Sequence, residues 1–417
     1  MNIYTSRSGA VKPRIAAIGI VLLLGVPLPQ IAQNTEDLII KAREQGACID
    51  QRGPDAQRGY TFRDVEFPPR VAKAYGPRGK RWYEKVLSTI IPGYRVDLFD
   101  YKINDIRFIE GTYGRTVPLG ETERSQKIRR EAEKKLKKAN KFANQQWDKW
   151  LAGHPNATDE EKSRVRMRIF AGTSGSDGLP KFDWREAGLD LLPAGDQGFH
   201  CNACWAFSTI DAMQISRQLE ARRSDRGSPR ASEDLLPSVP RLVSCMMPKA
   251  IGEELCSINW HGEAFSYMVD HGLPLGRGDA YDQSGYPQWQ CDKTASVKAL
   301  TWDFVSSTPQ NVPTNEQIKK ALVTYGPLVA TMNLDSCLIL YGEGIFDEEQ
   351  SQDGPYHMLL IAGWDDERGA WLVKNSFGPE WGQNGFGWVK YGSNNIGKWA
   401  AWVMADPRAE AKFAAMR

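Results

Sequence analysis

The sequence predicts an α+β protein: helices, then strands, in the part that carries the chemistry, with a largely helical and basic segment in front. Three observations predict it. After Cys204 the residues Trp205, Phe207, Ile210, Met213 and Leu219 return about once per helical turn, the pattern of a buried helix. Further on, Leu328–Met332, Met358–Trp364, Ala370–Lys374 and Gly385–Tyr391 read as strands, with Val403 placed to close the sheet. Between Thr122 and Leu151, Ile128, Ala132, Leu136, Ala139, Ala143, Trp147 and Trp150 keep helical spacing on an otherwise highly basic stretch.

In chain order, residues 1–32 read as a secretory signal: Arg7, Lys12 and Arg14 precede an apolar run, Ile15 to Val26, and the small residue Ala32. That run is short for a bilayer span, and no other stretch is long and apolar enough, so no stable span is expected once the signal is removed. From Thr35 to Gly120 short apolar groups are broken by Gly and Pro; a helix over Gly79–Ile91 and one or two strands over Tyr94–Ile109 are expected. The basic helix follows and stops at Pro155. Thr158 and Glu161 then form a capping-box pattern for a second helix reaching Phe170. Ala171 to Gly178 is a Gly/Ser-rich linker open to a processing protease. Downstream, Arg222 to Pro240 reads as a polar loop, Leu242–Cys245 as a short helix, Glu263–His271 as a helix closed by Gly272, and Glu316–Tyr325 as a helix before Gly326-Pro327.

The net charge of +2 conceals a split: residues 1–178 hold 32 Lys and Arg against 21 Asp and Glu, and residues 179–417 hold 21 against 30. Two portions of opposite sign are expected to attract each other rather than nucleic acid, with the attraction loosened by acid and salt. Secretion implies an oxidising compartment, extracellular, periplasmic or lysosome-like, so most of the 7 cysteines are expected to be paired. No His accompanies them at ligand spacing, so no metal or other cofactor is expected.

Cys204 stands where a turn gives way to the buried helix, and unpaired N–H groups with the helix dipole favour a thiolate there. A thiol nucleophile needs a base within hydrogen-bond reach and a third group to orient that base. The stretch Gln197-Gly198-Phe199-His200-Cys201-Asn202-Ala203-Cys204-Trp205-Ala206-Phe207-Ser208 resembles the papain-like cysteine peptidases, whose signature is Gln, then Cys-Gly-Ser-Cys-Trp-Ala-Phe-Ser. His357 opening Met358-Leu359-Leu360-Ile361-Ala362-Gly363-Trp364 is similar to the family's His strand, and Lys374-Asn375-Ser376-Phe377-Gly378 to its Lys-Asn-Ser-Trp-Gly. Leu179-Pro180-Lys181-Phe182-Asp183-Trp184-Arg185 resembles the family's mature N-terminus.

The resemblance implies a papain-like two-subdomain fold over residues 179–417, a helical half and a β-barrel-like half meeting at a Cys204–His357 cleft. Residues 33–178 would be an inhibitory pro-region acting on the chain's own peptidase domain. In that reading Cys204 is the nucleophile, His357 its base, Asn375 the orienting amide and Gln197 an oxyanion donor beside the backbone N–H of Cys204. Protein or peptide substrates are implied, with Gly262, Tyr356 and Trp381 as candidate contacts. The family's pairing pattern joins Cys201 to Cys256 and Cys245 to Cys291, leaving Cys48 and Cys337 without an assigned state. Several positions depart from the pattern: Asn202 and Ala203 replace Gly and Ser, six residues rather than five separate Gln197 from Cys204, and Phe377 stands for Trp. Two rivals remain: a catalytically silent peptide-binding relative, and a Cys201/Cys204 dithiol redox protein, since Cys-x-x-Cys at a helix start also suits that chemistry.

Overall fold

The computed structural model describes residues 60–62, 123–173, 179–197, 203–223, 236–246, 260–273, 275–276, 297–334, 338, 341–348 and 356–408. The signal, the elements expected between Gly79 and Ile109, His200, and Cys48, Cys201, Cys256, Cys291 and Cys337 lie outside them.

Helices α1 (Glu123–Gly153) and α2 (Asp159–Phe170) match the two expected in the basic segment. The capping box forms as read: the Thr158 hydroxyl accepts from the Glu161 N–H at 3.2 Å, and the Thr158 N–H donates to Glu161 Oε2 at 2.9 Å. Helix α3 (Cys204–Arg223) is buried from Cys204 to Ala221 except at Phe207, and it runs further than expected, into the stretch read as loop from Arg222. Its polar residues are satisfied within the fold: Gln218 Nε2 donates to the Asp190 carbonyl at 2.8 Å, and the Ser216 hydroxyl to that of Val403 at 2.8 Å. Helices α4 (Val239–Met246), α5 (His261–Asp270) and α6 (Asn315–Tyr325) complete the set. Trp260 precedes α5 with no side-chain cap bond, which is why its start at His261 is not marked in the sequence.

The strands are β1 (Tyr60–Phe62), β2 (Lys181–Asp183), β3 (Leu236–Pro237), β4 (Leu275–Gly276), β5 (Ala299–Phe304), β6 (Leu328–Asn333), β7 (Tyr341–Phe346), β8 (Tyr356–Asp365), β9 (Ala370–Lys374), β10 (Phe386–Lys390) and β11 (Lys398–Ala405). Nine form one sheet in the order β1-β7-β10-β9-β8-β6-β11-β5, with β2 added on β8; β3 pairs β4 separately. Among the described residues only the β7–β10 pairing is parallel. Gly363 is required where β2 crosses β8, because a Cβ there would come within 2.2 Å of the Phe182 carbonyl oxygen.

Two apolar cores flank α3. Trp205, Ile210 and Met213 face one, with α4, α5, Trp302 of β5 and Val403 of β11. Ile215 and Leu219 face the other, with α6, Trp364 of β8, Trp371 of β9, and Met167 and Ala171 at the end of α2. The segment expected to be a detachable neighbour therefore contributes to the second core.

Candidate active site

Cys204 is the first residue of α3, inside a turn closed by the Ala206 N–H donating to the Ala203 carbonyl at 2.8 Å. N–H groups of Cys204 and Trp205 at the helix start, and of Met358 in β8, are directed at its sulfur. These favour the thiolate, as the sequence reading expected, but burial acts the other way and wins: the thiol is pushed up to about 11. The expected lowering by the helix terminus is thus overridden in the whole chain. Cys204 is free, so no Cys201–Cys204 bridge is present, while Cys245 in α4 is disulfide-bonded.

The β6–β8 register sets His357 opposite Met332, and the antiparallel β8–β9 pairing returns the chain so that Asn375 comes alongside. His357 Nε2 donates to Asn375 Oδ1 at 2.7 Å, which leaves Nδ1 as the basic nitrogen. The Ser376 N–H also donates to that oxygen, at 2.8 Å, and holds the amide in place. Phe377 stacks on the imidazole, centroids 4.6 Å apart at 22°, and Trp381 meets Phe377 edge-on at 6.5 Å. The smaller ring therefore still shields the His357–Asn375 bond. Burial drives the His357 imidazole down to about 4, against the opposing pull of Asn375.

Gln197 reaches the same place on a different route. Segment 195–197 runs antiparallel to 376–378, through the Asp196–Phe377 bridge, the Gly378 N–H on the Gly195 carbonyl at 3.0 Å and the Gln197 N–H on that of Ser376 at 2.8 Å. The Ser376 hydroxyl donates to Gln197 Oε1 at 2.6 Å, which identifies the other amide atom as the nitrogen donor. Gln197, Cys204, His357 and Asn375 are between 1% and 3% exposed.

The other candidates divide. Trp381 is fully buried, and its indole N–H donates to the Leu338 carbonyl at 2.6 Å, so it packs beneath the shield. Gly262 lies in the first turn of α5, where a Cβ would meet Trp260 Nε1 at 2.6 Å and Trp302 at 2.9 Å; it is a close-packing glycine rather than a contact open to a ligand. Tyr356 starts β8 opposite Asn333.

Two features escaped the sequence reading. Ser376 was quoted in the motif but given no role. Lys374, next to Asn375, donates to Asp211 Oδ2 of α3 at 2.6 Å, and both side chains are buried. The signal for this pair was faint: an acid at the eighth position of an apolar helix.

The turn after α2 is anchored away from this site. The Gly172 N–H after α2 donates to the Val323 carbonyl at 2.9 Å, and the Gly172 carbonyl accepts from Arg223 Nη2 at 2.8 Å. Arg223 ends α3, about 28 Å along the axis from Cys204. Among the described residues no group of three His, Cys, Asp or Glu side chains is placed to hold a metal, and no helix is long and apolar enough to cross a membrane.

The family model described as papain family cysteine protease matches residues 179–405. Oryzain gamma chain of Oryza sativa subsp. japonica is 28% identical over 62% of this chain and 67% of its own length. Cathepsin L of Sarcophaga peregrina is 30% identical over 56% of this chain and 67% of its own. A crystal structure of the Amb a 11 cysteine protease, a ragweed pollen allergen, in its proform is 23% identical, covers 56% of this chain and 69% of that one, and superposes with a TM-score of 0.43.

Proposed function

This chain belongs to the papain family of cysteine proteases, and from that premise we propose that it is an endopeptidase made as a zymogen in which Cys204, His357, Asn375 and Gln197 carry the reaction. The observation that supports this most directly is the His357–Asn375 bond at 2.7 Å beneath Phe377, on the strand whose Met358 N–H faces the Cys204 sulfur. In this mechanism His357 Nδ1 takes the thiol proton, and the thiolate attacks the substrate carbonyl carbon. The resulting oxyanion is held by the Cys204 backbone N–H and the Gln197 side-chain N–H. The imidazolium returns its proton to the leaving amine, and water repeats the sequence on the thioester.

The whole-chain state opposes that first step, because burial disfavours both the thiolate and the imidazolium that the proton transfer creates. Activation then means giving water and substrate access to the pair. Since the turn after α2 is anchored about 28 Å from the thiol, we assign a buttressing role to residues 159–173 and inhibition to the part of the pro-region before them. Residues 1–32 act as a secretory signal in this reading, delivering the enzyme to an extracellular, periplasmic or lysosome-like compartment. Protein and peptide substrates follow from the chemistry.

The test is hydrolysis of an unstructured protein by processed enzyme, with labelling by a thiol-reactive epoxide. Cys204→Ala and His357→Ala are each expected to lower kcat/KM by at least about 10³-fold. Gln197→Ala should lower it by roughly 10²–10³-fold, and Asn375→Ala should retain part of the rate, since it orients rather than transfers a proton. A parent enzyme that neither labels nor cleaves after processing sinks the mechanism and favours a silent peptide-binding relative.

A further inference from the structure

Helix α1 carries ten Lys and Arg against four Asp and Glu, yet it holds the rest of the fold by an apolar stripe in which Leu136 and Ala143 are buried. Its lysines point the other way. Lys127, Lys134, Lys138 and Lys141 are exposed and fall, with Phe142 and one exposed acid, Glu131, within about 100° of arc opposite that stripe. Among the described residues none of these four has an ion-pair partner. The two portions of the chain are opposite in charge, but this ridge does not spend its charge on the acidic peptidase domain. Phe142, at one edge of the ridge and at its C-terminal end, is 60% exposed, the most exposed large apolar side chain among the described residues.

We propose that this face of α1 docks on an anionic phospholipid bilayer. The ridge from Lys127 to Lys141 is about 21 Å long and lies on one face of a single helix, so its four ammonium groups can meet a flat negative surface together. Phe142, flanking Lys138 and Lys141, fits the boundary of headgroups and acyl chains, where an aromatic ring gains from leaving water. A soluble polyanion satisfies the lysines but gives the ring nothing.

The test is co-sedimentation of the full chain, carrying Cys204→Ser to prevent self-cleavage, with vesicles of phosphatidylcholine alone or containing about one-third phosphatidylglycerol. Partition onto the anionic vesicles alone is expected, largely lost as salt rises from about 0.1 to about 0.5 M. Replacing Lys134, Lys138 and Lys141 by Gln should weaken it by roughly 100-fold, and Phe142→Ser by several-fold. These side chains are exposed, so an unchanged thermal midpoint is expected for each variant. Three outcomes overturn the proposal: equal partition onto both kinds of vesicle, retention of binding by the lysine variant, or heparin binding that matches the vesicle binding and ignores Phe142→Ser.

Discussion

His357 and Cys204 are both neutral in the whole chain for one reason, the cost of a charge in a site without water. At neutral pH, only about one thiol in 10⁴ is ionised when its pKa is near 11. Alkylation of Cys204 in the unprocessed chain should therefore be slow at pH 7 and climb steadily toward pH 11. After processing, the rate should instead level off at a much lower pH. A rate in the unprocessed chain that is already flat above pH 5 would show the ion pair preformed. On the acid side the sign is set by the imidazoles. His357 is lowered to about 4, and His261, buried with its Nε2 on the Trp399 carbonyl, to about 3. Each contributes stability above the ordinary value of 6.5 that is lost as pH falls through the lowered one. For His357 that is about 3 kcal/mol, which urea titrations between pH 7 and 4 would register. Cys204, His357, Asn375 and Gln197 stand out in the sequence as candidates because the proposed chemistry needs those residue types in short motifs. Their protonation does not, since it follows from how much of the fold lies over them.

Among the elements, α3 and β9 are tied together by the buried Asp211–Lys374 pair, seven residues after the thiol on one side and next to Asn375 on the other. Burial pushes the Asp211 carboxyl up even with Lys374 beside it. Asp211→Ala strands a buried ammonium and should cost about 3–5 kcal/mol in urea unfolding, whereas Asp211→Leu with Lys374→Met should be near neutral. If the double variant keeps full stability but loses kcat, the pair is retained for register between the nucleophile's helix and the amide's strand. Equal losses in single and double variants would remove that role. Helices with a cap or strong periodicity, α1, α2 and α6, were readable to within two residues. Strands β5 and β7 were not: Tyr341-Gly342-Glu343-Gly344-Ile345-Phe346 has two glycines and no clean alternation, and β7 is held by its neighbours β1 and β10 instead.

At the scale of the molecule, the charge split suggested a latch that acid and salt would loosen, but α2 and its following turn are attached by Met167, Ala171 and hydrogen bonds to backbone carbonyls. Gly172, at φ +80°, sits where a Cβ would come within 2.9 Å of Leu219, so the turn is fitted closely to α3. Cleavage between residues 174 and 178 is therefore expected to leave 123–173 bound: the nicked fragments should elute together in gel filtration at high salt and separate only in denaturant. Release by salt alone would restore the electrostatic account. The general architecture was legible because helices and strands occupy separate stretches; strand order was not, because it depends on partners far apart in the chain. That order bears on synthesis. Strand β11, residues 398–405, lies inside the sheet between β6 and β5, and the Ser216 hydroxyl of α3 is fastened to its backbone. A nascent chain that has emitted Cys204, His357 and Asn375 still lacks the strand on which α3 rests, so no competent protease exists on the ribosome until residues 398–405 have emerged and paired.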